Sequence, residues 1–201
     1  VRGADLVNKT VGLLFFRGSL RTRSSFEVAL NQLGGHALNL NANTDFWRLE
    51  ERSGTVMDGE APEHIRDAAA ALSCYADALA IRPALAGNSW ERDRKDTELK
   101  AWAEHSRVPV INMESALWHP IQALADLMTL RDALGKLEGR LLAITWPRSP
   151  SPAAPAAVHP TLLAPLRAGM PVSLAHPKAF ALGSAVLHAA PTNVATEATA
   201  Q

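Results

Sequence analysis

Short apolar runs alternate along this chain with segments whose apolar residues recur at helical spacing, and that alternation predicts the fold class. Val11 to Phe16 is an apolar run bounded by polar residues, the pattern of a strand buried on both faces. From Thr22 to Leu33, the residues Phe26, Ala29, Leu30 and Leu33 share one helical face, and Gly34-Gly35 supplies the left-handed conformation that helix ends favour. Ser24 with Glu27 three residues later has capping-box spacing. His36 to Leu40, Ala78 to Arg82 and Val108 to Met113 read as strands, Pro62 to Leu72 as a helix opened by proline, and Thr97 to His105 as part of a helix. Strand and helix in alternation predict right-handed βαβ units: an α/β protein with a parallel sheet flanked by helices, its ligands at the carboxyl ends of the strands.

His119 to Leu134 reads as a longer helix, and Leu141 to Trp146 as a strand opening a second unit. The chain therefore divides into a first domain over residues 1–118, a connecting helix over 119–134 and a truncated second α/β domain over 135–201. Pro147 to Pro155 is proline-rich and predicts a loop, and Pro165 argues against a helix from Thr161 to Ala168. Pro191 to Gln201 lacks an apolar period and reads as a frayed tail. No internal repeat is visible.

Composition narrows the choices. The 201 residues are 47% hydrophobic and 20% charged, ordinary for a globular protein. Lys and Arg together number 20, equal to Asp and Glu, so no global field draws nucleic acid or an anionic membrane. The arginines near the start are therefore a local site. A single cysteine, Cys74, excludes an internal disulfide framework and is expected as inert core. With no long apolar run and no signal-like start, the expected setting is cytoplasmic, without a membrane.

The chemistry concentrates between Phe15 and Glu27, where Arg17, Arg21 and Arg23 with Ser19, Thr22, Ser24 and Ser25 join the first strand to the first helix. The opening N–H groups of a helix lack partners, and its dipole makes that end partly positive, so an oxyanion gains hydrogen bonds and field together. Guanidinium forks add bidentate donors. Spacing alone leaves phosphate binding, carboxylate binding and a merely solvated helix start open. There is neither a glycine-rich dinucleotide fingerprint nor a P-loop lysine, which disfavours nucleotide cofactors.

Ser19-Leu20-Arg21-Thr22-Arg23 resembles the Ser-x-Arg-Thr-Arg motif of the aspartate and ornithine carbamoyltransferases, and His119-Pro120-Ile121-Gln122 resembles their His-Pro-x-Gln motif. The resemblance continues through Leu33 to Ala37, Gly54 to Gly59, Ile81-Arg82 and Pro109 to Glu114. It implies carbamoyl phosphate cradled by Ser19, Leu20, Arg21 and Thr22, with Arg82, His119 and Gln122 holding the carbamoyl end, and no cofactor or metal. Arg21, Arg82, His119 and Gln122 would carry catalysis. Thr44 to Trp47 followed by Gly54 to Gly59 is similar to the branch acting on N-acylated ornithine, in which a tryptophan, here Trp47, reaches a neighbouring subunit's site. Glu114 and Pro62 would meet the acylornithine. Relatives using acetylornithine carry a glutamate where Pro62 stands, whereas proline is the N-succinylornithine pattern, because a glutamate would repel the succinyl carboxylate. A homotrimer with shared active sites, serving arginine biosynthesis, is implied.

Plainer readings accompany each residue. Arg23 could pair with a nearby carboxylate, His119 could pack against a sheet, Trp47 could fill a core or interface, and Pro62 could serve only helix initiation. Glu63 and His64 read as a solvated helix face. The Cys-Leu-Pro segment and late arginine of such relatives have no counterpart in this sequence. An enzyme and a phosphate-binding module without turnover are therefore both in view.

Overall fold

The computed structural model describes residues 3–42, 44–147, 155–189 and 194–199, which form two compact units, 1–115 and 116–201. In the first unit, β1 (Thr10–Phe15), β2 (His36–Asn41), β5 (Ala78–Arg82) and β6 (Val110–Asn112) build a parallel sheet in the order β2-β1-β5-β6. Helices α1 (Arg21–Gln32), α2 (Ile65–Leu72), α3 (Trp90–Asp93) and α4 (Thr97–His105) connect them, and the two-residue strands β3 (Leu49–Glu50) and β4 (Glu63–His64) pair separately.

The apolar run in β1 follows from two covered faces. Val11, Leu13 and Phe15 pack with Leu30, Ala80 and Met113, whereas Leu14 packs with Ile65, Ala69, Leu79, Ile81 and Trp102. Each Val, Leu, Ile, Phe or Met among them contributes about 1.5–3 kcal/mol on burial. Gly12 leaves room for the Leu79 side chain beside it on β5, since a Cβ there would stand 2.8 Å from Leu79 Cδ2. At the end of α1, Gly34 has φ +82°, and at Gly35 a Cβ would meet the Lys9 carbonyl at 3.2 Å. The glycine pair thus ends the helix and brings β2 against the chain entering β1.

Three expectations are corrected in this unit. Ser24 and Glu27 form no capping box: Leu20 is the N-cap, the Ser24 N–H bonds to the Leu20 carbonyl, and Glu27 accepts from Asn39 Nδ2 at 3.2 Å. Pro62 does not open α2, because pairing with β3 holds Glu63 and His64 extended and His64 becomes the cap, accepting from the Arg66 N–H at 3.0 Å. Cys74 is exposed at the end of α2, not core.

The second unit holds α5 (Pro120–Leu134), β7 (Leu142–Thr145), α6 (Val158–Arg167), β8 (Val172–Pro177), a 3-10 turn (Lys178–Phe180), α7 (Ser184–Ala189) and β9 (Val194–Thr199). Its parallel sheet runs β7-β8-β9 over a core of Leu162, Leu166, Val172, Leu174 and Val186. Two further expectations are corrected. α6 forms despite Pro165, which sits in its last turn fully buried, while its carbonyl accepts from Ala168 and Met170 at 3.0 Å each. Burying the ring in the core offsets the lost donor. The expected frayed tail instead pairs with β8, in register from Val172 opposite Val194 to Pro177 opposite Thr199. Val194, Thr196 and Thr199 are β-branched, and the edge of β8 supplies the ladder. The loop expected at 147–155 lies mostly outside the described residues, as do residues 191–193, 200 and 201 of the expected tail. Among the described residues no helix is long and apolar enough to cross a membrane.

Candidate active site

The carboxyl ends of β1, β5 and β6 lie side by side and carry Arg17, Arg82 and Glu114. Glu114 is clamped between the two guanidiniums. Arg82 Nη2 pairs with its Oε2 at 2.5 Å, and Arg17 Nη2 pairs with its Oε1 at 3.3 Å while donating to its backbone carbonyl at 2.9 Å. Arg82 Nη1 also donates to the Thr22 hydroxyl at 3.1 Å, tying the end of β5 to the first turn of α1. The Arg82 side chain is 13% exposed, and the Nε atoms of Arg17 and Arg82 are buried without a hydrogen-bond partner among the described residues. Burial, then the Arg17 charge, pulls the Arg82 pKa down, and Glu114 opposes them. Two cations share one carboxylate, so the cluster has excess positive charge suited to an anion.

The expected cradle borders this cluster. α1 starts with no side-chain cap and no acid in its first turn, so its opening N–H groups face no competing protein acceptor from a capping side chain. Ser19 is half-buried, Leu20 is 83% exposed, and Arg21 is exposed with no ion pair or side-chain hydrogen bond among the described residues. Arg23 is turned elsewhere. Its Nε donates to Asn39 Oδ1 at 3.2 Å and its guanidinium lies 5.1 Å above the Phe15 ring, so it braces α1 against β2 through an amide.

Trp47 is 58% exposed, and its Nε1 donates to Glu63 Oε2 at 2.9 Å, which brings it beside the turn carrying Pro62. That loop walls a cavity of about 600 Å³ whose lining includes Phe16, Phe46, Trp47, Arg52, Arg92 and Glu98. In the second unit, His119 caps α5 by accepting the Gln122 N–H on Nδ1 at 3.3 Å. Gln122 Nε2 donates to Asp126 Oδ1 at 2.8 Å, and the other Asp126 oxygen accepts from Thr161 Oγ1 at 2.8 Å. The His119-Pro120 pair thus opens a helix and presents Gln122 in its first turn.

The structure joins Thr22, Arg82 and Glu114 in one cluster, sets Trp47 near Pro62, and pairs His119 with Gln122. It adds two residues to which sequence reasoning assigned no role. Arg17 had a signal in the arginine-rich loop, and Asp126 had one in its spacing of four from Gln122 on a helix.

A family model described as aspartate/ornithine carbamoyltransferase, carbamoyl-P binding domain, matches residues 2–132. The chain belongs to the aspartate/ornithine carbamoyltransferase family. It is 41% identical over 177 residues to the N-acetylornithine carbamoyltransferase of Xanthomonas campestris pv. campestris, covering 87% of this chain and 52% of that one. It is 35% identical over 145 residues to the N-succinylornithine carbamoyltransferase of Bacteroides fragilis, covering 72% and 45%. Among solved structures, an N-acetyl-L-ornithine transcarbamylase with one glutamate replaced by proline, complexed with carbamyl phosphate and N-succinyl-L-norvaline, superposes with a TM-score of 0.90 at 37% identity. That match covers 98% of this chain and 62% of the other. Variants of the same enzyme with valine, serine or alanine at that glutamate were solved with the same two molecules. The chain spans about half the length of the curated relatives it matches.

Proposed function

We propose that this carbamoyltransferase-family chain carries the donor site for moving the carbamoyl group of carbamoyl phosphate to the δ-amine of an N-acylated ornithine, with N-succinyl-L-ornithine preferred. The amine nitrogen attacks the carbonyl carbon, the bond from that carbon to the phosphate oxygen breaks, and the nitrogen sheds a proton. The products are N-acylcitrulline and phosphate, a step of arginine biosynthesis. Such a reaction needs donors on the leaving phosphate and on the carbonyl oxygen, and two substrates held in line, in preference to a nucleophilic side chain.

The observation that carries the reading is the cationic cluster at the strand ends, in which Arg82 reaches the Thr22 hydroxyl at the open start of α1. Ser19, Leu20, Arg21 and Thr22 hold the phosphate, and Arg82 the carbamoyl oxygen with His119 and Gln122. Glu114 and Pro62 meet the acylornithine. Trp47, exposed on its loop, serves a neighbouring subunit of a cytoplasmic homotrimer.

Identity over the matched residues is higher to the acetylornithine enzyme, 41% over 177 against 35% over 145, but it averages over positions that never touch an acyl group. Pro62 bears on the acyl pocket itself. The solved complexes with N-succinyl-L-norvaline share the loss of a glutamate carboxylate, whether proline, valine, serine or alanine replaces it. Removal of one negative charge is what a succinyl carboxylate requires, and Pro62 supplies it here.

The test is citrulline formation from carbamoyl phosphate with N-succinyl-, N-acetyl- or unmodified ornithine. Succinylornithine is expected as the best acceptor. Carbamoyl phosphate binding with no product from any acceptor favours the binding module, and preference for acetylornithine overturns the role given to Pro62.

A further inference from the structure

Arg17 belongs to neither motif, yet it makes two contacts to Glu114 across 97 residues of chain, one to the backbone carbonyl at 2.9 Å and one to the carboxylate at 3.3 Å. We propose that Arg17 is a positioning residue that holds and neutralises Glu114, so that Arg82 can leave that carboxylate for an anionic donor. The inference rests on the donor-site reading above.

Arg82 is heavily engaged. One terminal nitrogen lies on Glu114 Oε2 and the other on the Thr22 hydroxyl. An anion seated at Thr22 has to draw the guanidinium toward itself and away from Glu114. If Arg82 were the only cation on that carboxylate, the move would strand a charge that is only 23% exposed, and breaking such a pair by removing one partner is strongly unfavourable. Arg17 removes that penalty because it occupies the other oxygen, Oε1, and stays there when Oε2 is released. Its bond to the backbone carbonyl fixes the turn after β6, so Glu114 keeps its place. Arg17 also makes Arg82 readier to take a second anion, since its charge opposes the neighbouring guanidinium while Glu114 favours it. A residue that only packed the loop would have no reason to divide the carboxylate with Arg82 oxygen by oxygen.

The test is calorimetric titration of carbamoyl phosphate into the 201-residue chain as wild type, R17Q, E114Q and R17Q/E114Q. R17Q is expected to weaken binding roughly tenfold, the scale of one charge-assisted contact. With Glu114 neutralised there is no carboxylate charge left to balance, so R17Q/E114Q is expected to bind within about threefold of E114Q. If Arg17 acted only through its positive charge or through loop packing, the same tenfold loss would appear in both backgrounds, and the proposal fails. Should R17Q not fold, R17M, which also removes the charge and keeps the aliphatic stem, takes its place in the same four-way comparison with the same outcomes expected. Wild-type binding unchanged in R17Q overturns this inference and leaves the donor site standing. No binding by the wild type overturns both.

Discussion

Arg82 Nη1 meets the Thr22 hydroxyl at 3.1 Å, linking the last residue of β5 to the first turn of α1 across 60 residues of chain. Thr22 is both an acceptor that aims the guanidinium and a residue of the proposed phosphate cradle. Thr22→Val keeps the shape and removes the hydroxyl. Carbamoyl phosphate affinity is expected to fall about tenfold, the worth of roughly 1.4 kcal/mol, as read by calorimetry. The melting temperature is expected to move little, since α1 takes no side-chain cap from this position.

Pro62→Glu is expected to reverse acceptor preference. A carboxylate opposite the succinyl group adds like-charge repulsion of about 1 kcal/mol even in a watery setting, and more where water is excluded. KM for N-succinylornithine is therefore expected to rise at least fivefold against that for N-acetylornithine in the citrulline assay. An unchanged ratio would remove Pro62 from the acyl pocket.

Stability is expected to depend on pH through Glu98. Its Oε2 accepts the Ala84 N–H at 2.9 Å, and burial, aided by the Glu51 charge, pushes its carboxyl up to about 7 from an ordinary 4.5. The folded chain therefore keeps a proton that the unfolded chain has lost, and stability falls as pH rises from about 4.5 to about 7, then levels. Thermal unfolding at pH 5 and pH 8 should show this loss in the wild type and a smaller one in Glu98→Gln, whose amide cannot ionise. Equal losses in both would show that Glu98 titrates normally.

The β1–β5 packing has a paired prediction. Leu79 is fully buried and its Cδ2 occupies the space where a Gly12 side chain would go. Leu79→Ala is expected to cost about 2–5 kcal/mol in denaturant unfolding. Gly12→Ala is expected to cost about 1–3 kcal/mol by overpacking. Together they should cost less than the sum, because the new methyl enters the space that the leucine leaves.

Much of this was legible in the chain because the decisive signals are local. The helix expected over Thr97 to His105 is α4 with the same bounds, and the run from Val11 marks a strand with two covered faces. What escaped depends on distant partners. β3 and β4 have two residues each and exist only through each other, and β9 is Ala- and Thr-rich and forms against β8. Pro165 argues against α6 by local rules, yet the core it enters outweighs them. The Ser-x-Arg-Thr-Arg motif marks the start of α1, where the donor cradle is proposed, but nothing near Arg17 in sequence points to Glu114. That partnership arises because parallel pairing places the ends of β1, β5 and β6 together.

The most direct measurement is amide chemical-shift mapping of the isotopically labelled chain during titration with carbamoyl phosphate. Saturable shifts largest at Leu20, Arg21, Thr22 and Arg82 are expected, and they should vanish in Arg82→Met. Binding whose shifts spare those residues, or no binding at millimolar ligand, would contradict a donor site at the start of α1.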